Sequence, residues 1–392
     1  MGNRWWWWSY VLTIFLCMVS SIHVDADSSV PSLSLTKDDH ITPFASPKVE
    51  LDPIVEYLGP HKTTTLWQIP PGPVKRVLFI AIASGALPWD YWDRSPSCPL
   101  CRGLPETRKI VLDALTQRYA VVLISPLNIS QGWEPWPQDS RDLLNARTIL
   151  TDWKDRHGFV NTSTVALGAS AGGHALSTLG LHGPELFDSM VVMVSKGIKE
   201  AWRHVRRGFY PPTLFVHCPR DSKTAEAILI IMDNLRRQGI PADEVPWNPH
   251  PITPTWLSQL IPGVDPPTSR AIYDAFKRHG SILDENDYLI HKVTSWQIAI
   301  RGKNILPEDP EKPGQVLYKE AIDQEMRVAY AMHSTLARRN EEIFRWFEGD
   351  HDVRPNVETR PRVLERRSQV SKMVTWGSHQ DVIRTLLLQL TD

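Results

Sequence analysis

The feature that most constrains this fold is a series of short apolar runs separated by segments of helical periodicity. Residues 74–83 (VKRVLFIAIA), 119–125 (YAVVLIS), 163–168 (STVALG), 188–194 (DSMVVMV) and 212–217 (PTLFVH) are nearly unbroken in apolar character. Runs of this length without alternation mark strands covered on both faces. Between them, residues 104–120, 139–157, 171–181 and 223–237 carry apolar side chains at helical spacing, with Asp139 or Ser140 capping the second. Alternating strands and helices build crossover units, and right-handed crossovers lay helices on both faces of a mainly parallel central sheet. The fold class expected is therefore α/β. Residues 54–58 and 63–69 predict a hairpin around Gly59-Pro60-His61, and residues 241–246 a last short strand. Ligand sites in such sheets lie beyond the carboxyl ends of the strands. That rule selects the loops after Ala83, Ser125, Gly168 and His217.

The chain has 392 residues, 42% hydrophobic and 22% charged, with a formal net charge of −1. A sizeable core is available, and no charge imbalance points to nucleic acid or to a membrane surface. A basic Arg4, an apolar stretch over residues 5–20 and the small-residue pattern Val24-Asp25-Ala26 have the grammar of a secretory signal peptide. The expectation is a signal over 1–26, a mobile leader over 27–48 and a secreted chain without stable membrane association. An uncleaved single-pass signal anchor is the alternative, since about 18 apolar residues can just span a bilayer. Sequons at Asn128 and Asn161 are compatible with glycosylation in that compartment. The main domain is expected over 49–350, with a Pro-rich, cap-like insertion at about 248–317. A C-terminal extension over 351–392 ends in an amphipathic helix at 381–390.

Of four cysteines, Cys17 belongs to the signal-like segment. Cys98 and Cys101 form a Cys-Pro-Leu-Cys pair, which fits a short-loop disulfide in an oxidising compartment. A redox motif or a zinc half-site would use the same spacing, but no helix opens at the pair and no second pair follows. Cys218 is expected as a buried apolar residue at a strand end.

The chemistry concentrates at Gly168-Ala169-Ser170-Ala171-Gly172-Gly173. This Gly-x-Ser-x-Gly follows a buried strand and opens a helix, the setting of a nucleophile elbow. Small flanking residues let strand and helix pack around a strained serine. The helix N-terminus favours developing negative charge, and the Ala171 N–H can face an oxyanion. A serine nucleophile needs a base and an orienting acid, in the chain order Ser, Asp or Glu, His. Asp221 lies a short turn after the 212–217 strand and is the acid expected. Its bland alternative is the capping of the helix that follows. Three histidines compete for the base: His250 after the last short strand, His333 before the 341–348 helix, and His379 before the final helix. The second oxyanion donor is expected from Gly85 or Ala86, in the loop after the first long strand. Trp89 and Trp92 on that loop, and Trp133 and Trp136 on the next, offer aromatic faces for substrate. Ordinary packing of those rings is the alternative.

Residues 92–106 (WDRSPSCPLCRGLPE), 166–173 (ALGASAGG), 211–217 (PPTLFVH), 260–265 (LIPGVD) and 329–333 (AYAMH), followed by 343–348 (IFRWFE), resemble a little-characterised group of secreted plant and algal α/β-hydrolase-like proteins. The resemblance covers about residues 50 to 350. It implies the α/β-hydrolase fold, with Ser170 in the elbow and Asp221 in the acid turn. Members end near the position of Glu348 and carry a histidine that matches His333 but nothing that matches His379. The resemblance therefore implies His333 as base, with His379 second. This chain departs by having Ser84-Gly85 where the group has His-Gly. The function expected is a secreted serine hydrolase acting on a small-molecule or polymer-attached carboxylic ester, with no cofactor and no metal. The alternative is a catalytically inactive protein of this fold that binds a ligand or partner.

Overall fold

The computed structural model describes residues 49–351 apart from residues 138, 206–208 and 293–295. The signal-like segment, the leader, the 381–390 helix and His379 lie outside the described residues.

Eight strands form one sheet: β1 (Ile54–Leu58), β2 (Thr63–Gln68), β3 (Arg76–Ala81), β4 (Tyr119–Ile124), β5 (Thr164–Ala169), β6 (Ser189–Met193), β7 (Thr213–His217) and β8 (Ala242–Pro246). Their order is β1-β2-β4-β3-β5-β6-β7-β8. β2 runs antiparallel to both its neighbours, and every pairing from β4 to β8 is parallel. The long apolar runs became the central strands because both their faces are covered. Along β3, Leu78 and Ile80 enter one core while Val77, Phe79 and Ala81 enter the other.

The first core is closed by α1 (Pro105–Thr116), through Ile110, Val111, Ala114 and Leu115, and by α10 (Asn340–Phe347), through Ile343, Phe344, Trp346 and Phe347. The second is closed by α2 (Arg141–Arg156), α3 (Ala171–His182) and α5 (Ser222–Arg237), beside a short α4 (Lys199–His204). Ser140, rather than Asp139, caps α2, its hydroxyl accepting from the Leu143 N–H. Fully burying each large apolar side chain is worth about 1.5–3 kcal/mol.

Buried residues between Ile252 and Ala329 build a third core. It joins α6 (Trp256–Leu260), α7 (Pro266–His279), α8 (Gln297–Ile300) and α9 (Lys319–Tyr330) through Leu257, Ile272, Phe276, Trp296, Ile322 and Met326. This core reaches beyond residue 317. The helix α9 is hard to see in sequence because Gln324 and Glu325 occupy buried positions and interrupt its apolar stripe.

Cys98 and Cys101 are joined as a disulfide, and Cys218 is a buried free thiol. Asn128 and Asn161 are both exposed. No described helix is long and apolar enough to cross a membrane.

Candidate active site

Sheet register gathers the site at one edge. Ala81 pairs with Gly168, Ala169 with Met193, and Met193 with Val216, so β3, β5, β6 and β7 end together. The chain leaving β5 turns at Ser170, whose φ of 51° is in the left-handed region. An L-residue held there is strained, and such strain persists only where surroundings over-determine it. Here the Ser170 N–H donates to the Met193 carbonyl at 2.9 Å, and the Ser170 carbonyl accepts from the His174 N–H at 3.1 Å. The flanking glycines are steric necessities. A Cβ on Gly172 would sit 2.0 Å from the Ala81 carbonyl oxygen, and one on Gly168 2.5 Å from the Gly172 oxygen.

Of the two competing histidines among the described residues, His250 and His333, the structure brings His333 to the serine. Its Nε2 lies 2.9 Å from Ser170 Oγ, and its Nδ1 lies 2.9 Å from Asp221 Oδ2. The His333 side chain is 44% exposed and that of Asp221 19%, so the array opens to solvent. His250 is elsewhere: its ring packs 4.1 Å from Trp247, and its N–H donates to the Ala329 carbonyl. His333 follows α9 through Ala331, and both residues have positive φ, which turns the chain back toward the sheet edge.

Asp221 performs the capping role as well. Its Oδ1 accepts from the Thr224 N–H at the start of α5, while Oδ2 faces His333. Burial pushes its carboxyl up, but the hydrogen bonds with His333 and Thr224 outweigh this and hold it below the usual carboxylate range. An ionised carboxylate can only accept, so the proton between them sits on His333 Nδ1. That leaves Nε2 as an acceptor for the Ser170 hydroxyl.

The Ala171 N–H is the first of α3, so it has no partner within the helix. In the loop after β3, the Ala86 N–H is already given to the Ala83 carbonyl at 3.2 Å. Gly85, at φ 73°, keeps a backbone N–H with no acceptor among the described residues. Of the two expected donors, Gly85 is thus the one whose N–H is uncommitted among the described residues.

The aromatic residues divide. Trp92 is fully buried in the first core, and its indole N–H donates to Gln68. Trp133 is also a core residue, and its N–H pins the Ile82 carbonyl at 2.9 Å. These two rings offer no free face, which corrects the expectation of a substrate platform: their bulk is spent on packing the β3 and β4 loops. Trp89 and Trp136 are half-buried, with Trp136 5.9 Å from the His182 ring.

Sequence reasoning missed the support around these residues. The Met193 sulfur accepts from the Leu336 N–H at 3.3 Å, so one residue braces both the serine turn and the histidine segment. His174, one helical turn after Ser170, has its imidazole pushed down to about 4 by burial and by nearby Lys196 and His333. No motif marks either residue. Among the described residues, no cluster of His, Cys, Asp and Glu could hold a metal ion.

The strand order, the single antiparallel β2 within the sheet and the serine turn after β5 define an α/β-hydrolase fold. Solved structures similar to this chain include three esterases. A thermostable esterase shares 15% identity at TM-score 0.37, over 50% of this chain and 55% of its own. Esterase 2 of Thermogutta terrifontis shares 15% at TM-score 0.36, over 53% of this chain and 85% of its own. An esterase of Pyrococcus furiosus shares 10% at TM-score 0.38, over 50% and 81%. The chain thus spans about half the length of the first of these. No protein-family model matches the chain. No curated protein matches it either.

Proposed function

We propose that this chain is a serine hydrolase of carboxylic esters. The observation that carries the reading is the pair of 2.9 Å contacts running Ser170–His333–Asp221. In the first half-reaction, His333 Nε2 takes the Ser170 hydroxyl proton as Oγ bonds to the ester carbonyl carbon. The carbonyl electron pair moves onto its oxygen, which the N–H groups of Ala171 and Gly85 receive. Asp221 steadies the imidazolium without taking its proton. Collapse breaks the bond to the alcohol, which leaves with the proton from His333, and Ser170 holds the acyl group. In the second half, water gives a proton to His333, attacks the acyl carbon and regenerates the serine. An electrostatic hole of this kind is worth about 10²–10³ in rate per donor.

The open mouth, with His333 exposed and Trp89 half-buried on the loop after β3, favours an ester carried on a bulky group. The Cys98–Cys101 disulfide and the exposed Asn128 and Asn161 sequons support a secreted setting. A panel of nitrophenyl esters of graded acyl length tests the reading. Turnover that disappears in Ser170→Ala is expected. A folded wild type inert toward every ester would leave the inactive, ligand-binding alternative.

A further inference from the structure

Behind the histidine segment, two buried carboxylates share one partly exposed guanidinium. Glu106 is in the first turn of α1, Glu325 is in the middle of α9, and Arg338 lies five residues after His333. Arg338 Nε lies 2.8 Å from Glu106 Oε1, and its Nη2 donates to Glu325 Oε2 at 2.8 Å. The carboxylate side chains are 2% and 0% exposed. Glu106 also accepts the Ala337 N–H at 2.5 Å, and its own N–H donates to Gln324 at 2.8 Å. The cluster therefore holds the segment that carries His333, α1 and α9 at one point.

The charge count is uneven. Two ionised carboxylates and one guanidinium would leave a net negative charge in a dry interior, which is costly. One proton removes it, and geometry says where it sits. Glu106 faces a backbone N–H, the guanidinium and a helix N-terminus. Glu325 has no helix end, and its Oε1 meets no donor among the described residues. That oxygen is where the proton fits. Burial, then the Glu106 charge, push the Glu325 carboxyl up.

The surrounding charges do not supply the missing balance. Arg339 pairs with Glu342 of α10 at 2.9 Å, and His250 is pushed down by burial and then by Arg338 and Arg339. Trp256 of α6 lies under the guanidinium at 5.3 Å. Further along α9, Glu320 is met by Lys312 and Asp323 by Lys319; on α1, Arg108 is met by Asp93 and Lys109 by Asp113.

We propose that Glu106, Arg338 and Glu325 form a one-proton latch that positions the His333 segment, and that loss of its proton at alkaline pH releases the histidine from Ser170. This rests on the reading of His333 as the base for Ser170. The latch residues touch no substrate and act through the segment they hold.

The test follows two signals between about pH 6 and about pH 10 in the full chain and in Glu325→Gln. One is hydrogen-exchange protection of residues 331–338, corrected for intrinsic rates. The other is the rate of labelling by a fluorophosphonate. In the wild type, both fall together by roughly tenfold or more toward the alkaline end. In Glu325→Gln, which carries the proton's hydrogen bond permanently, neither falls. Glu106→Gln leaves one carboxylate facing one guanidinium and removes the same fall. Alkaline loss of protection that persists unchanged in Glu325→Gln overturns the latch. Should both variants fail to fold, infrared difference spectra of the wild type decide: a buried carboxylic-acid carbonyl band lost at alkaline pH supports the latch, and its absence at neutral pH overturns it. Protection that behaves as expected in a protein that never labels would keep the latch and remove the hydrolase reading.

Discussion

Asp221 holds His333 with one carboxylate oxygen and the start of α5 with the other, at 2.9 Å and 3.4 Å. The two roles separate by substitution. Asn caps a helix as well as Asp but offers an amide to His333 and upsets its tautomer. Asp221→Asn is therefore expected to lose about 10³–10⁴ in kcat with its unfolding midpoint almost unchanged. Asp221→Ala loses the same activity and in addition about 1 kcal/mol of stability. Paired activity and urea-unfolding measurements decide it, and equal stability of the two variants would remove the capping role.

His174 gives the protein an acid limb of stability. Its folded value, about 4, lies below the ordinary 6.5, so between those values the unfolded chain binds more protons. Stability contributed by the neutral imidazole is complete above the ordinary value and is lost as pH falls toward about 4. His174→Gln should reduce the stability lost across that window by roughly 2 kcal/mol. Thermal unfolding at several pH values reads this directly; parallel curves for the two proteins would contradict it.

Gly172→Ala drives a methyl into the Ala81 carbonyl at 2.0 Å, and neither partner is a flexible side-chain tip. The expected cost is about 3 kcal/mol or more, because strand and helix must part. A variant with wild-type stability would mean the helix α3 can shift without penalty.

Trp133→Phe keeps an aromatic ring, though a smaller one, and removes the indole N–H that donates to the buried Ile82 carbonyl. An unsatisfied buried acceptor costs about 1–3 kcal/mol. The loss should appear in stability, with KM for a small ester changed far less. A large KM effect with stability intact would instead return Trp133 to the substrate.

The strands and flanking helices were legible because each obeys a single rule: unbroken apolar runs for strands buried on both faces, helical spacing for the rest. Ser170 was legible because the elbow's steric demands write themselves into Gly168 and Gly172. The choice among His250, His333 and His379 was not fixed by the residues themselves. It depends on how the left-handed residues Ala331 and His333 redirect the chain after α9, and α9 was itself hidden by the polar Gln324 and Glu325 in its buried face. Trp92 and Trp133 misled for a related reason. A tryptophan on a catalytic-edge loop has the same sequence signature whether its ring faces solvent or is consumed in packing.

Activation of Ser170 is tested most directly by fluorophosphonate labelling with mass-spectrometric mapping of the adduct. One adduct per chain is expected on Ser170, absent in Ser170→Ala and slowed by at least about 10³ in His333→Ala. A folded wild-type protein that takes no label at neutral pH, or takes it on another residue, would contradict an activated Ser170.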